Sequence, residues 1–202
     1  MNTPTTVILA SSNSGKLNEF NRLLKNAYIN VVQQSDYNVP DAIEDGLTFV
    51  ENAIIKARNA AQHTGLPAFA DDSGIEVDAL NGQPGIYSAR YAGEHGNDQA
   101  NNDKLLAEMK DIPEAKRTAR FRCCIVYMRH AEDPSPIIAD ASWEGQLLFE
   151  ASGKNGFGYD PLFYVPTHAC SSAELDPDTK NAISHRGLAL QEMLHKLISS
   201  NS

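Results

Sequence analysis

The chain has 202 residues, 42% of them apolar, with 17 basic against 26 acidic side chains and a formal net charge of −9. That much apolar material builds a sizeable core and excludes a disordered chain, and the acidic balance excludes general attraction to nucleic acid or to anionic membrane surfaces. An anionic ligand must be met by a few local cations, because the screening length is about 8 Å at physiological salt and remote acidic surface is largely hidden from it.

The opening MNTPTTVILASSNSG lacks a basic leader, no apolar run is long enough for a membrane span, and Cys123, Cys124 and Cys170 make neither a disulfide framework nor a zinc spacing. The expectation is a soluble cytoplasmic protein with reduced thiols.

Thr5 to Ala10 reads as a short strand, followed by the polar turn SSNSGK and a helical pattern with Leu17, Phe20, Leu24 and Ala27 on one face. A second strand is predicted over Asn30 to Gln33. After the turn-rich SDYNVPDAIEDG, Thr48 is the expected N-cap of a helix from Phe49 to His63, with Glu51 completing a capping box. Val50, Ala53, Ala57, Ala60 and Ala61 form a small-residue stripe for close packing, and Asn52 and Lys56, four apart, project together beside it. Ala68 to Ala70 and Ile75 to Val77 are predicted strands on either side of an acidic turn, with Glu76 and Asp78 on a solvated face. Residues 81–85 read as turn, Asp98 to Lys110 as helix, Thr118 to Met128 and Ile137 to Leu148 as an antiparallel pair, and Pro177 to Ser199 as a helix broken near Ser184. No repeat or linker divides the chain.

Five segments carry candidate chemistry. FADDSG sets Asp71 and Asp72 side by side, and alternation along a strand lets one meet a metal ion while the other holds a water or a hydrogen bond, although an ordinary acidic turn has the same composition. SSNSGK, with Ser11, Ser12, Asn13, Ser14, Gly15 and Lys16, follows a strand and opens a helix, where backbone amides and the helix dipole collect phosphate oxygens; plain helix capping uses the same residues, and the spacing is not that of a Walker loop. EDGLTFVENAIIKA places Glu44 in a loop before the helix that carries Lys56, and a loop acid swinging toward Asp71 and Asp72 would complete an oxygen-rich Mg²⁺ site. SGKNGFGYDPLF surrounds Phe157 and Tyr159 with glycines at 153, 156 and 158, a backbone suited to presenting an aromatic face to a flat ligand such as a base. Beyond it, Lys180, Ser184, His185 and Arg186 offer donors to phosphate or to carbonyl acceptors, with a capping or core histidine as the ordinary alternative.

The ordered set SSNSGK, EDGLTFVENAIIKA, FADDSG, PGIYSARYAG, NGFGYDPLF and AISHRGLAL resembles the inosine triphosphate pyrophosphatase family over nearly the whole chain. The resemblance implies one domain over residues 1–202, an α/β fold with an elongated mixed sheet, helices on both sides, and two lobes around a central nucleotide-binding cleft. It implies a homodimer that binds neither nucleic acid nor membrane, and Mg²⁺-dependent hydrolysis of ITP, dITP and XTP to monophosphate and pyrophosphate. Carried onto this sequence, it puts triphosphate contacts on Ser11 to Lys16 with Lys56 nearby, Mg²⁺ at Glu44 and Asp72, and the proton acceptor at Asp72 with Asp71 and Ser73 beside it. Phe157, Gly158, Tyr159 and Asp160 would hold the base, with Phe157 stacking and Asp160 recognising the purine edge or ribose. Lys180 would touch phosphate or base, and Ser184, His185 and Arg186 would read its 6-oxo group. Bacterial members commonly have glycine where Ser12 and Asn155 stand, so a left-handed backbone is a possible demand at both. A nucleotide sensor that does not hydrolyse, or a Maf-type pyrophosphatase for other nucleotides, are the rival readings.

Overall fold

In the computed structural model, which describes residues 4–24 and 28–200, seven strands form one open mixed sheet in the order β2-β1-β3-β4-β5-β6-β7. The strands are β1 (Thr5–Leu9), β2 (Ile29–Gln33), β3 (Ala68–Val77), β4 (Thr118–Met128), β5 (Ile137–Leu147), β6 (Phe163–Val165) and β7 (Cys170–Ser171). The helices are α1 (Ser14–Leu24), α2 (Phe49–Thr64), α3 (Asp98–Glu108), α4 (Pro177–Ile183) and α5 (His185–Ser200). β1 pairs in parallel with both β2 and β3, and β6 runs antiparallel to β5 and β7. The Leu147 N–H donates to the Arg117 carbonyl, setting the end of β5 against the start of β4 as an antiparallel pair.

The chain divides by contacts into two units, one of Met1–Asp72, Cys123–Ala141 and Arg186–Ser202, the other of Ser73–Arg122 and Ser142–His185. In the first, strand residues alternate between two cores. Val7, Leu9, Phe69, Cys123 and Ile125 pack with Phe20 and Leu24 of α1 and with Ala189, Leu190 and Met193 of α5. Ile8, Ala68, Ala70, Cys124 and Val126 face the other way, onto Ala53, Ala57, Ala60 and Ala61 of α2. Strands covered on both faces explain the near-continuous apolar runs in the sequence. The adjacent cysteines therefore point to opposite faces. Each large side chain buried here, such as Phe20, is worth about 1.5–3 kcal/mol. In the second unit, Ile75, Val77, Phe121, Trp143 and Phe163 pack with Leu105 and Met109, while Arg120 pairs with Asp78 and Glu144 at 2.9 and 3.0 Å. There a helix covers one face, and the other carries the solvated Glu76 and Asp78 expected from their alternation.

Helix boundaries follow their caps. The Thr48 side chain accepts from the Glu51 N–H, and the Glu51 carboxylate accepts from the Thr48 hydroxyl and the Leu47 N–H. Ser184, extended at φ −73° and ψ 160°, interrupts α4 and α5 where the break was expected. Ala27, expected on the apolar face of α1, lies outside the described residues.

One expectation is overturned. No turn divides FADDSG: β3 runs unbroken from Ala68 to Val77, with Asp71 and Asp72 inside it. The strand lies between β1 and β4, and the carboxylates are tolerated because side-chain cations meet them.

Candidate active site

Alternation along β3 sends Asp71 and Asp72 to opposite faces, and helices from each face supply their partners. Asp71, 1% exposed, takes Lys16 Nζ of α1 at 2.8 Å on one oxygen and Arg186 Nε of α5 at 3.2 Å on the other. Burial would raise its pKa, but Lys16, Arg186 and Lys56 together outweigh burial and hold the carboxyl far below the usual range. Arg186 is also bound by Glu19 at 3.2 Å. Burial first, and then the Asp71 charge, push the Cys123 thiol up, leaving it protonated and inert.

Asp72 faces α2. Lys56 Nζ lies 2.8 Å from its Oδ1 and Asn52 Nδ2 3.4 Å from its Oδ2. Burial raises the Asp72 pKa above its usual value; Lys56 opposes this, while Glu44 and Asp71 add to it. For Lys56 the balance is reversed: burial works against its charge, but Asp72, Asp71 and Glu44 keep its pKa above normal. Two adjacent positions of β3 thus hold one carboxylate firmly ionised and a neighbour whose affinity for a proton is enhanced, which is the division of roles needed for proton transfer.

Glu44 Oε2 is 3.3 Å from the same Lys56 ammonium, so Glu44 and Asp72 share one lysine. Two carboxylates without a third suit Mg²⁺, which keeps waters and takes substrate oxygens, better than an ion requiring a closed protein cage. One face of α2 shapes the loop that carries Glu44: Asn52 Oδ1 accepts from the Gly46 N–H at 2.9 Å, Lys56 meets Glu44, and Asn59 Nδ2 donates to the Pro40 carbonyl at 2.8 Å. A Cβ on Gly46 would lie 2.7 Å from Asn52 Oδ1, so glycine is required for this approach.

At the start of α1, Asn13 caps the helix by accepting from the Lys16 N–H at 3.1 Å, and Ser11 Oγ accepts from the Asn13 N–H at 3.2 Å. Ser12, Asn13, Ser14 and Gly15 are exposed, presenting the positive end of an eleven-residue helix. Among the described non-glycine residues with positive φ, neither Ser12 nor Asn155 figures. The usual glycines are therefore not needed for backbone reasons at either position.

The second unit builds the aromatic loop. Gly153, Gly156 and Gly158 all have positive φ, as the loop composition predicted. At Gly156 a Cβ would come within 2.1 Å of Asp160 Oδ2. Asp160, 3% exposed, accepts from the Phe157 N–H at 2.8 Å, Ser172 Oγ at 2.9 Å and Lys180 Nζ at 2.5 Å. Tyr159 is buried, with its hydroxyl on the Ser88 carbonyl at 2.8 Å. These two side chains brace the loop from beneath, whereas the Phe157 ring is 50% exposed, with Lys180 Nζ 5.4 Å from its centroid. His185 is stacked on Phe121 at 4.7 Å and 12°. Ser184 and His185 fall in this unit and Arg186 in the other, so SHR is split between them. Ser73, half-buried, begins the second unit directly after Asp72.

Sequence reasoning missed Asn52, Glu19 and Ser172 as site residues. Asn52 had a signal, an amide four residues before Lys56 on the same helical face; Ser172 had none, being brought to Asp160 only by the tertiary fold.

The Ham1 family profile matches residues 7–196. A dITP/XTP pyrophosphatase of Thioalkalivibrio sulfidiphilus is 58% identical over 191 residues, 95% of this chain and 97% of the relative. Another, of Vibrio cholerae, is 58% identical over 187 residues, 93% of this chain and 94% of the relative. The structure of a HAM1 protein from Coxiella burnetii matches with a TM-score of 0.92 at 50% identity, covering 96% of this chain and 99% of that one. A Ham1 protein of Staphylococcus aureus gives 0.87 at 39% identity, covering 97% and 100%. These matches bear out the resemblance carried by the six motifs, and the chain belongs to the Ham1 family.

Proposed function

We propose that this chain is a nucleoside triphosphate pyrophosphatase that hydrolyses deaminated purine nucleotides, ITP, dITP and XTP, to the monophosphate and pyrophosphate, clearing them from the cytoplasmic nucleotide pool as a homodimer of single-domain subunits. The names of the close relatives support the activity. The observation that carries the reading is the Asp71–Asp72 pair on β3, with opposite proton affinities and with lysines from two helices.

In this reading Asp72 accepts the proton of a water that attacks the α-phosphorus, and the bond from that phosphorus to the α,β-bridging oxygen breaks, releasing pyrophosphate. Lys16 and the exposed amides of Ser12 to Gly15 receive the phosphates. Mg²⁺, held by Glu44 and Asp72, would supply positive charge against the developing phosphate charge. Three cations, Lys16, Lys56 and Arg186, face four carboxylates, Glu19, Glu44, Asp71 and Asp72. The set therefore carries one net negative charge, and a divalent ion makes it hospitable to a triphosphate.

Phe157 stacks on the base, with Gly158, Tyr159 and Asp160 holding it in place, and Lys180, Ser184 and His185 supply donors. A pocket that donates to a 6-oxo group leaves donors unpaired against the amino group of adenine, at about 1–3 kcal/mol each.

Pyrophosphate release from ITP, XTP, dTTP, GTP and ATP, with and without Mg²⁺, tests the proposal. Mg²⁺-dependent release from ITP and XTP far above that from ATP supports it. Preferred release from dTTP would favour the Maf-type reading, and ITP binding without release would make the protein a sensor.

A further inference from the structure

The aromatic loop is braced from within by Asp160, but its apex is gripped from outside. Gly158, at φ +60°, has both halves of its backbone bound by α3: its N–H donates to Asp98 Oδ2 at 2.7 Å, and its carbonyl accepts from Asn102 Nδ2 at 2.9 Å. Asp98 and Asn102 are four residues apart, one turn of helix, so they lie on one face and reach the same residue. The side chains are matched to the two jobs, because a carboxylate only accepts and an amide nitrogen only donates. The other amide atom, Asn102 Oδ1, is buried and takes no hydrogen bond from the described residues, so the amide serves the one bond it donates.

The same helix holds a second segment. Asn101 Oδ1 accepts from the Ala92 N–H at 2.7 Å, and Lys104 Nζ donates to the Tyr91 carbonyl at 2.8 Å. α3 is therefore a rigid platform for irregular backbone, and Gly158 is the point where it touches the loop that displays Phe157. Fixing the N–H and carbonyl of the next residue fixes the backbone from which the Phe157 ring projects and so narrows the directions its side chain can take.

We propose that Asp98 and Asn102 are positioning residues for base recognition: by clamping Gly158 they set the pose in which Phe157 meets a purine. This rests on the proposed function, and it assigns selectivity to a helix that acts through the loop it holds.

The test compares kcat and KM for ITP and GTP in wild type, Asp98→Ala, Asn102→Ala and Asp98→Asn, with thermal midpoints alongside. Losing one such hydrogen bond is expected to raise KM for ITP about tenfold, with kcat changed by less than about twofold and a lower ITP to GTP selectivity. Asp98→Asn keeps an acceptor oxygen and recovers most of the affinity lost in Asp98→Ala. Unchanged KM and selectivity in both alanine variants overturn the proposal. So does a parallel fall in kcat for both nucleotides that tracks a lower thermal midpoint, the sign of a merely structural role. Wild type that releases no pyrophosphate overturns the proposed function instead. The clamp is then read from ITP affinity by calorimetry, where about tenfold weakening supports it and an unchanged Kd refutes it.

Discussion

Burial raises the pKa of Asp72 above the usual 3.8 despite the Lys56 ion pair. A carboxyl with a raised folded pKa contributes stability below its unfolded pKa and loses that contribution as pH rises through the folded value. Asp72→Asn keeps the shape but takes from the buried Lys56 the carboxylate that most supports its charge. Pyrophosphate release is expected to fall by roughly 10²–10⁴-fold, the range for a lost general base. Near wild-type turnover would remove Asp72 from the chemistry. Asn52 is the complementary case. Fully buried, it joins the Gly46 N–H to Asp72 and so ties the Glu44 loop to β3. Asn52→Ala is expected to raise the Mg²⁺ concentration for half-maximal activity about 10–100-fold, the usual consequence of losing a group that orients a metal ligand. An unchanged Mg²⁺ titration would show that Glu44 holds its position without it.

Among the elements, the hairpin joining β4 to β5 shows how a polar turn is locked. Asp133, 2% exposed, accepts from the Arg129 guanidinium and from the backbone N–H groups of Arg129 and Ser135. The Arg129 side chain, more than burial can offset, and then these backbone groups hold its carboxyl well below the usual 3.8. The folded pKa is depressed, so the stability it contributes is present above about pH 4 and drains away as pH falls towards the folded value. Asp133→Asn is expected to lower the thermal midpoint at pH 7, and the gap from wild type should narrow as pH drops below about 4. Equal gaps at both ends of that range would mean that the carboxylate charge is not what locks the turn. The hairpin's strands were legible from β-rich runs around EDPSP, and α2 from Thr48 and its alanine stripe, because those signals are local. The continuity of β3 was not. Ser-Gly after two acids has turn composition, and only the neighbouring strands, with cations from three helices, make it a strand interior. The same limit applies to Arg186, whose guanidinium meets Asp71 and Glu19, partners that only the fold brings to it.

For the whole molecule, the net charge of −9 opposes the approach of a nucleotide, while the lysines proposed to receive it act only at short range. The two effects separate with salt, because the screening length falls from about 30 Å at 0.01 M to about 8 Å at 0.15 M. At low salt an incoming Mg²⁺–triphosphate, still anionic, feels the acidic surface as a whole. At physiological salt it feels mainly the exposed N-terminus of α1 and Lys16, whose ion pair with Asp71 is only partly open to solvent. kcat/KM for ITP is therefore expected to rise modestly, by about two- to fivefold, as NaCl is added from 10 to 150 mM, with kcat nearly constant. A steep fall over that range would be the signature of long-range attraction by a basic surface. It would place the receiving charges further out than Lys16 and Lys56, and the buried lysine–carboxylate pairs would then be structural supports that the phosphates never reach.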